Sequence, residues 1–273
     1  MTARRRFADV VRDEPVDLTL ACLLVGGEVD PDLDVEAALA TLDALAAGAR
    51  RHVPRGCPPQ QAAEGLRVAL GEVAGFAGSA GDYDDVRSSL LHEVVRRGRG
   101  LPITLSVLWV AVAHRLDVVA ELVALPGHVV VAIGADRPVY VDPYAGGRLL
   151  PLPDLAGLVR AATGAPLRPE DLEPAASLDI LLRLLTNVRA LAARQDRALE
   201  WARTRLWAVE LSLLLPRHPA GLRRERGELL VRLGDHLGGA AQLEAYADVV
   251  EGADTAGAEA ARREARQARA RLN

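Results

Sequence analysis

At 273 residues, half of them hydrophobic and only 3% aromatic, the chain is long enough for one large or two small domains built on Leu, Val and Ala. A formal charge of −4 argues against a general nucleic-acid binder or a membrane-surface protein. All of its basic residues are Arg, so no Lys amine exists to act as an acyl acceptor or to form a Schiff base.

Two cysteines, Cys22 and Cys57, make neither a disulfide framework nor a metal set, and no metal or cofactor is expected. No apolar run reaches the roughly 18 uncharged residues of a membrane span. The opening stretch MTARRRFADVVRDEP has basic residues but no signal-type apolar core after them. The expected location is cytoplasmic.

The first 13 residues read as a short helix or a frayed end. Asp17 is placed to cap a helix over 18–25, broken at Gly26-Gly27, with Cys22 as a small core residue. A second helix opens at Pro31-Asp32-Leu33-Asp34 and runs to 51, with Val35, Ala38, Leu39, Leu42 and Leu45 at helical spacing. Residues 52–59 form a loop. There Arg50, Arg51, His52 and Arg55 would favour a Cys57 thiolate, yet no acid or His partner is fixed by local geometry, and an incidental loop cysteine is the simpler reading. Residues 60–73 read as a helix and 75–82 as a flexible stretch. Ser88 or Ser89 is placed to cap a helix over 90–97. His92 and Glu93 point about 100° apart on that helix, so they cannot easily chelate one ion. They read as a solvent-facing His and a surface or capping Glu. Residues 1–97 thus form an all-helical front part.

Residues 98–148 organise the rest. A helix from Pro102 to about Arg115 has no polar face, which predicts burial on several sides. His114, near its end, suits the helix dipole. A strand of roughly ten residues within 119–133 is expected next, with Leu125-Pro126-Gly127-His128 in its middle. A short strand over 139–141 ends in Asp142-Pro143-Tyr144. A helix, a strand with a His and a strand with an Asp is the layout of papain-like and transglutaminase-like sites. In those sites a thiol at the helix N-terminus is the nucleophile, the His takes its proton and the Asp orients the His. Here His128 and Asp142 fill the second and third places. The first falls among Leu101-Pro102-Ile103-Thr104, where there is no Cys. The candidate site residues are His128, Asp142 and Thr104, with Thr104 or Ser106 as polar support or as a poor hydroxyl nucleophile. The competing reading is a structural His–Asp hydrogen bond in a site without catalysis.

The run Ser89-x-Leu91-x-Glu93-Val94, then Arg99-Gly100-Leu101-Pro102-Ile103-Thr104-Leu105, Arg115-Leu116, Leu125-Pro126-Gly127-His128 and Asp142-Pro143-Tyr144-x-Gly146-Gly147-Arg148-Leu149 resembles the SirB-type transglutaminase-like family. The resemblance implies a helical N-terminal piece, a transglutaminase-like core and tetratricopeptide-like C-terminal helices. This chain departs from the family pattern in two places. Ser88-Ser89-Leu90-Leu91 stands where the family usually has Asn-Ser-Tyr-Leu, and Gly127-His128-Val129 where it has Gly-His-Phe.

Five prolines in 149–176 (Pro151, Pro153, Pro166, Pro169 and Pro174) predict a connection with at most short helix. Helices are then expected over 177–193, 196–215, 219–233, 236–250 and 256–272. Their punctuation is loosely that of repeats of about 34 residues, of which barely two fit. Such a tail is expected to dock on the core. Its final helix reads as a charged cap.

The fold class expected is α+β and mostly helical, with a small antiparallel sheet packed on a buried helix and a tetratricopeptide-like helical region. The expected divisions are 1–97, 98–176 and 177–273. Two functions compete. One is a non-catalytic or altered-site protein that binds a peptide or protein partner through the helical tail, with no nucleic acid and no membrane involved. The other is an enzyme of acyl or amide transfer or hydrolysis that uses His128 and Asp142 without a Cys. A purely structural domain would explain the fold but not the polar pair. The oligomeric state is left open.

Overall fold

A computed structural model describes residues 2–195 and 198–271. The chain divides into two compact units, 1–184 and 185–273.

In the first unit, aspartates start the helices the sequence announces. Helix α1 covers Ala3–Val10. Asp17 accepts from the Leu20 amide and opens α2, Leu18–Gly26. Asp34 accepts from the Ala37 amide and opens α3, Val35–Ala49. Each carboxylate pairs a donor that the helix itself leaves free. Helix α4, Pro59–Leu66, begins on a proline that has no amide to lose, then widens into a π-helical stretch over Arg67–Val73. The stretch closes with the Ala74 amide on the Ala69 carbonyl, five residues back.

Residues 75–82, expected to be flexible, are tied down by backbone bonds instead. Phe76 N–H donates to Leu70 O, Ala77 N–H to Gly98 O and Gly78 N–H to Tyr144 O. Helix α5, Leu91–Arg97, carries no side-chain cap, so Ser88 and Ser89 do not serve it. Ser88 is buried and turns its hydroxyl to Asp82 instead. His92 is not solvent-facing. Only 9% of its side chain is exposed, and its Nδ1 is buried without a partner beside the Cα of Gly26.

Helix α6, Pro102–Arg115, is the centre of this unit, and every residue from Pro102 to Ala113 is buried. Arg50 donates to the carbonyls of Leu116 and Arg115 and so closes the helix C-terminus. That commits Arg50 to α6 rather than to Cys57.

The long strand expected within 119–133 is two strands. Strands β1, Ala120–Val123, and β2, Val130–Ile133, pair antiparallel, with Val123 opposite Val130. Leu125-Pro126-Gly127-His128 is the connection between them, because Gly127 has φ +77° and Pro126 has no amide for a ladder. Strands β3, Val139–Asp142, and β4, Arg148–Leu150, complete a meander in the order β1-β2-β3-β4. Val130 and Ala132 pack with Leu155 and Val159 on one face of β2. The pleat therefore turns Val131 and Ile133 to the opposite face, where α6 packs on the sheet.

Five prolines did not prevent a helix after β4. Helix α7, Leu152–Thr163, runs 12 residues because Pro151 and Pro153 fall at its start, where no amide is missed. Ala175 N–H then donates to Leu122 O, which seats the remaining segment on the outer edge of β1. Helix α8 covers Ser177–Arg194, and the division between the two units falls within it.

The second unit continues with α9, Leu199–Leu214, α10, Gly221–Arg232, α11, His236–Val250, and α12, Thr255–Ala270. The expected helix starts at 196 and ends at 272 lie outside the described residues. Neighbours in sequence pack on each other. Gly227 lets α10 and α11 approach, since a Cβ there would lie 2.9 Å from the Gly239 carbonyl. Ala258, Ala261, Ala265 and Ala268 form the buried stripe of α12. Among the described residues, no helix is long and apolar enough to cross a membrane.

Candidate functional site

His128 and Asp142 come together where the β1–β2 connection meets the end of β3. His128 Nε2 lies 3.0 Å from Asp142 Oδ1. A carboxylate oxygen accepts, so Nε2 carries the proton and Nδ1 is the nitrogen left for acid–base work. The same Oδ1 accepts the Tyr144 amide at 3.0 Å. One oxygen thus fixes the His tautomer and starts the short 3₁₀ turn Pro143–Ala145. Both side chains are largely buried, with 13% of His128 and 8% of Asp142 exposed.

The loop that carries His128 is anchored from two sides. Ser106, fully buried on α6, donates to the Val129 carbonyl at 3.2 Å. Arg183, on the early part of α8, donates from Nη2 to the His128 carbonyl at 3.0 Å. Burial presses the Arg183 guanidinium below its ordinary pKa, while Tyr83 pulls it the other way.

Thr104 takes part in neither group. It is 0% exposed. Its Oγ1 lies 2.7 Å from Ser88 O and 3.1 Å from Leu101 O, so its single proton is committed to backbone carbonyls. The Ser88 carbonyl also accepts the Leu101 amide. Thr104 therefore joins the start of α6 to the segment before α5. No side chain caps the N-terminus of α6.

A buried carboxylate props up the same region. Asp82 Oδ2 accepts from the Ser79 amide and hydroxyl, and Oδ1 from the Ser88 hydroxyl. Arg99 pairs with Asp82 at 3.3 Å and donates to the Ser79 hydroxyl. Beside it, Tyr144 meets Tyr83 at a centroid distance of 6.0 Å and an interplanar angle of 63°. Burial raises the phenol pKa of both tyrosines, and the Asp142 charge adds to it.

Glycines of the motif have packing reasons. Gly146 and Gly147 have φ +65° and +84°. A Cβ on Gly147 would lie 2.1 Å from the Trp109 ring at the heart of α6.

Sequence reasoning named His128 and Asp142 but missed Arg183 and Tyr83 as their neighbours. The available signal was a single Arg inside Ile180-Leu181-Leu182-Arg183-Leu184-Leu185, a charge on a face that is otherwise apolar. Among the described residues, no cluster of three or more His, Cys, Asp or Glu is placed to hold a metal ion.

A family model described as transglutaminase-like superfamily matches residues 36–186, which run from the second residue of α3 through α7 and the whole sheet into α8. The chain belongs to the transglutaminase-like superfamily. Its relatives include a protein called UPF0162 protein from Xylella fastidiosa, 32% identical over 245 residues, which cover 86% of this chain and 85% of the relative. Another UPF0162 protein, from Pseudomonas aeruginosa, is 30% identical over 194 residues, 70% of each chain. Among solved structures, that of menin, titled for its binding site for the Mixed Lineage Leukemia protein, aligns with a TM-score of 0.38 at 14% identity, over 96% of this chain and 68% of menin. In this transglutaminase-like chain the matched region holds His128, Asp142, Thr104 and Arg183.

Proposed function

We propose that this transglutaminase-like protein, of the SirB type, binds a peptide or protein segment at the His128–Asp142 site without forming a covalent acyl-enzyme. The observation that carries this reading is the state of Thr104. Among Leu101-Pro102-Ile103-Thr104, where such sites would keep a thiol, the one hydroxyl is that of Thr104, fully buried with its proton on the Ser88 and Leu101 carbonyls. A hydroxyl needs a base on its proton to become a nucleophile, and the Thr104 proton is held by backbone carbonyls rather than by His128. The second unit, read as tetratricopeptide-like, would offer a further surface for the partner.

A second reading has one observation in its favour. With Nε2 held by Asp142, the Nδ1 of a neutral His128 keeps a lone pair. It would serve as general base toward a water, giving hydrolysis of an acyl or amide bond rather than transfer.

Panning a random heptapeptide phage library on the purified protein, beside His128→Ala and Asp142→Ala variants, separates the two. The binding reading expects peptides that enrich on the wild type, lose affinity on the variants and are recovered intact. Peptides cut at a rate that vanishes in His128→Ala would favour the hydrolase. A library with no enrichment over an unrelated protein would overturn the binding reading.

A further inference from the structure

Arg183 is an arginine in want of an anion. Other part-buried arginines here have acidic partners: Arg97 pairs with Asp85, Arg115 with Asp43, and Arg189 and Arg205 with Glu225. Among the described residues Arg183 has no such pair. Its one hydrogen bond among the described residues goes to a neutral carbonyl, that of His128. A guanidinium has five N–H donors in a flat fork, and that bond uses one. Nε and Nη1 are not among the buried nitrogens left without a partner, so they are not sealed in the interior. Holding an unpaired cation partly out of water is costly unless an anion completes it.

Tyr83, 44% exposed, is close enough to Arg183 for each to shift the other's ionisation. Asp142 and Asp82 are close enough to act on Tyr83 and Tyr144 respectively. The segment read as the ligand is a peptide, and the anions an unmodified peptide carries are carboxylates. A planar guanidinium fork matches a carboxylate or a phosphate, so phosphate is the competing probe.

We propose that Arg183, beside Tyr83, is the anchor for a carboxylate of the bound segment, either a peptide C-terminus or an acidic side chain, and so sets ligand choice at the His128–Asp142 site. This deepens the peptide-binding reading and rests on it. The hydrogen bond to the His128 carbonyl gives the anchor a fixed position relative to the pair. It also means that a ligand held by Arg183 can be felt at the imidazole through the loop.

The test uses the whole protein and simple probes. N-acetylglycine, N-acetylglycinamide and inorganic phosphate are titrated while the Arg183 Nε–H signal, assigned by its loss in Arg183→Gln, is followed by NMR. Melting temperatures check that the variants fold. The proposal expects N-acetylglycine to shift that signal saturably and the amide to leave it unmoved. It expects Arg183→Gln to weaken N-acetylglycine binding at least tenfold, read on the His128 ring signals. Arg183→Lys, which keeps the charge but loses the fork, should fall between. Equal binding of acid and amide, or wild-type affinity in folded Arg183→Gln or Arg183→Lys, would overturn it. Phosphate binding more tightly than N-acetylglycine would overturn the carboxylate assignment. The two acetylglycine probes judge the anchor alone. Peptides from the panning that bind equally well as free acid and amide would sink the anchor and leave the peptide reading intact.

Discussion

Tyr144 stands edge-on to His128, with ring centroids 6.0 Å apart and planes at 86°. Its ring is held in place from behind by Gly78, where a Cβ would lie 1.9 Å from two ring carbons. The Gly78 amide also donates to the Tyr144 carbonyl. The absence of one side chain on the 75–82 segment thus positions an aromatic wall of the site. Gly78→Ala should therefore push Tyr144 off this position. The expected cost is about 1–3 kcal/mol, that of overpacking a fixed core. Urea unfolding measures the loss, and the His128 ring signals in NMR should move because the Tyr144 ring current moves.

His92 gives the first unit a pH dependence of known sign. Burial lowers its pKa below the ordinary imidazole value. Glu93 and Asp30 partly oppose that, and Arg96 adds to it. The unfolded chain takes up the proton below about pH 6.5 while the folded one resists. The unfolded state then binds more protons, so this contribution is complete above pH 6.5 and is lost as pH falls through the lowered folded value. Urea midpoints of the wild type at pH 7.5 and 5.5 should differ by more than those of His92→Gln. Equal differences would refute the assignment.

The two cysteines should separate cleanly in a thiol titration. Cys22 is buried on α2, and burial, helped by the Asp17 charge, pushes its thiol up to about 12. Cys57 is free and partly exposed. A thiol-reactive dye at pH 8 should label Cys57 in the native protein and Cys22 only after denaturation. Cys57→Ser should leave the native protein unlabelled. Rapid native labelling of Cys22 would contradict its burial.

In the second unit Glu225 joins three helices, accepting from Arg189 on α8 and Arg205 on α9 while itself on α10. Burial alone would raise its pKa, and the hydrogen bonds and charges of Arg189 and Arg205 outweigh it, so the net direction is down. Its contribution is present above the unfolded carboxylate value of about 4.3 and is lost on acidification through the folded one. Glu225→Gln should cost about 1.5–3 kcal/mol at pH 7, the range for hydrogen bonds to charged groups. The difference from wild type should shrink below pH 4 in thermal melts.

Much of the fold was legible because its signals are local. Asp17 and Asp34 announce their helices by capping, and an apolar helix without a polar face can only be α6 at the centre of a core. His128 and Asp142 were legible because a polar residue beside an apolar strand must find a partner. What the sequence hid depends on contacts across the chain. Leu125-Pro126-Gly127-His128 read as strand, since its flanks are apolar on both sides and only the pairing of Val123 with Val130 exposes the turn. The prolines of 149–176 argued against a helix until their places at its start were fixed. Ser88 looked like a cap because the buried Asp82 it serves is six residues away on a segment that read as flexible. Arg183 is 55 residues from the carbonyl it holds, and no periodicity announces that distance.

The central claim is that the His128–Asp142 pair stands beside no usable nucleophile. The most direct measurement is acyl transfer from a glutamine-containing dipeptide to hydroxylamine, with the intact protein mass followed in parallel and any adduct mapped by peptide sequencing. The account predicts no hydroxamate above the His128→Ala background and no mass added at Thr104 or Ser106. A stoichiometric acyl adduct on Thr104, lost in His128→Ala, would contradict it.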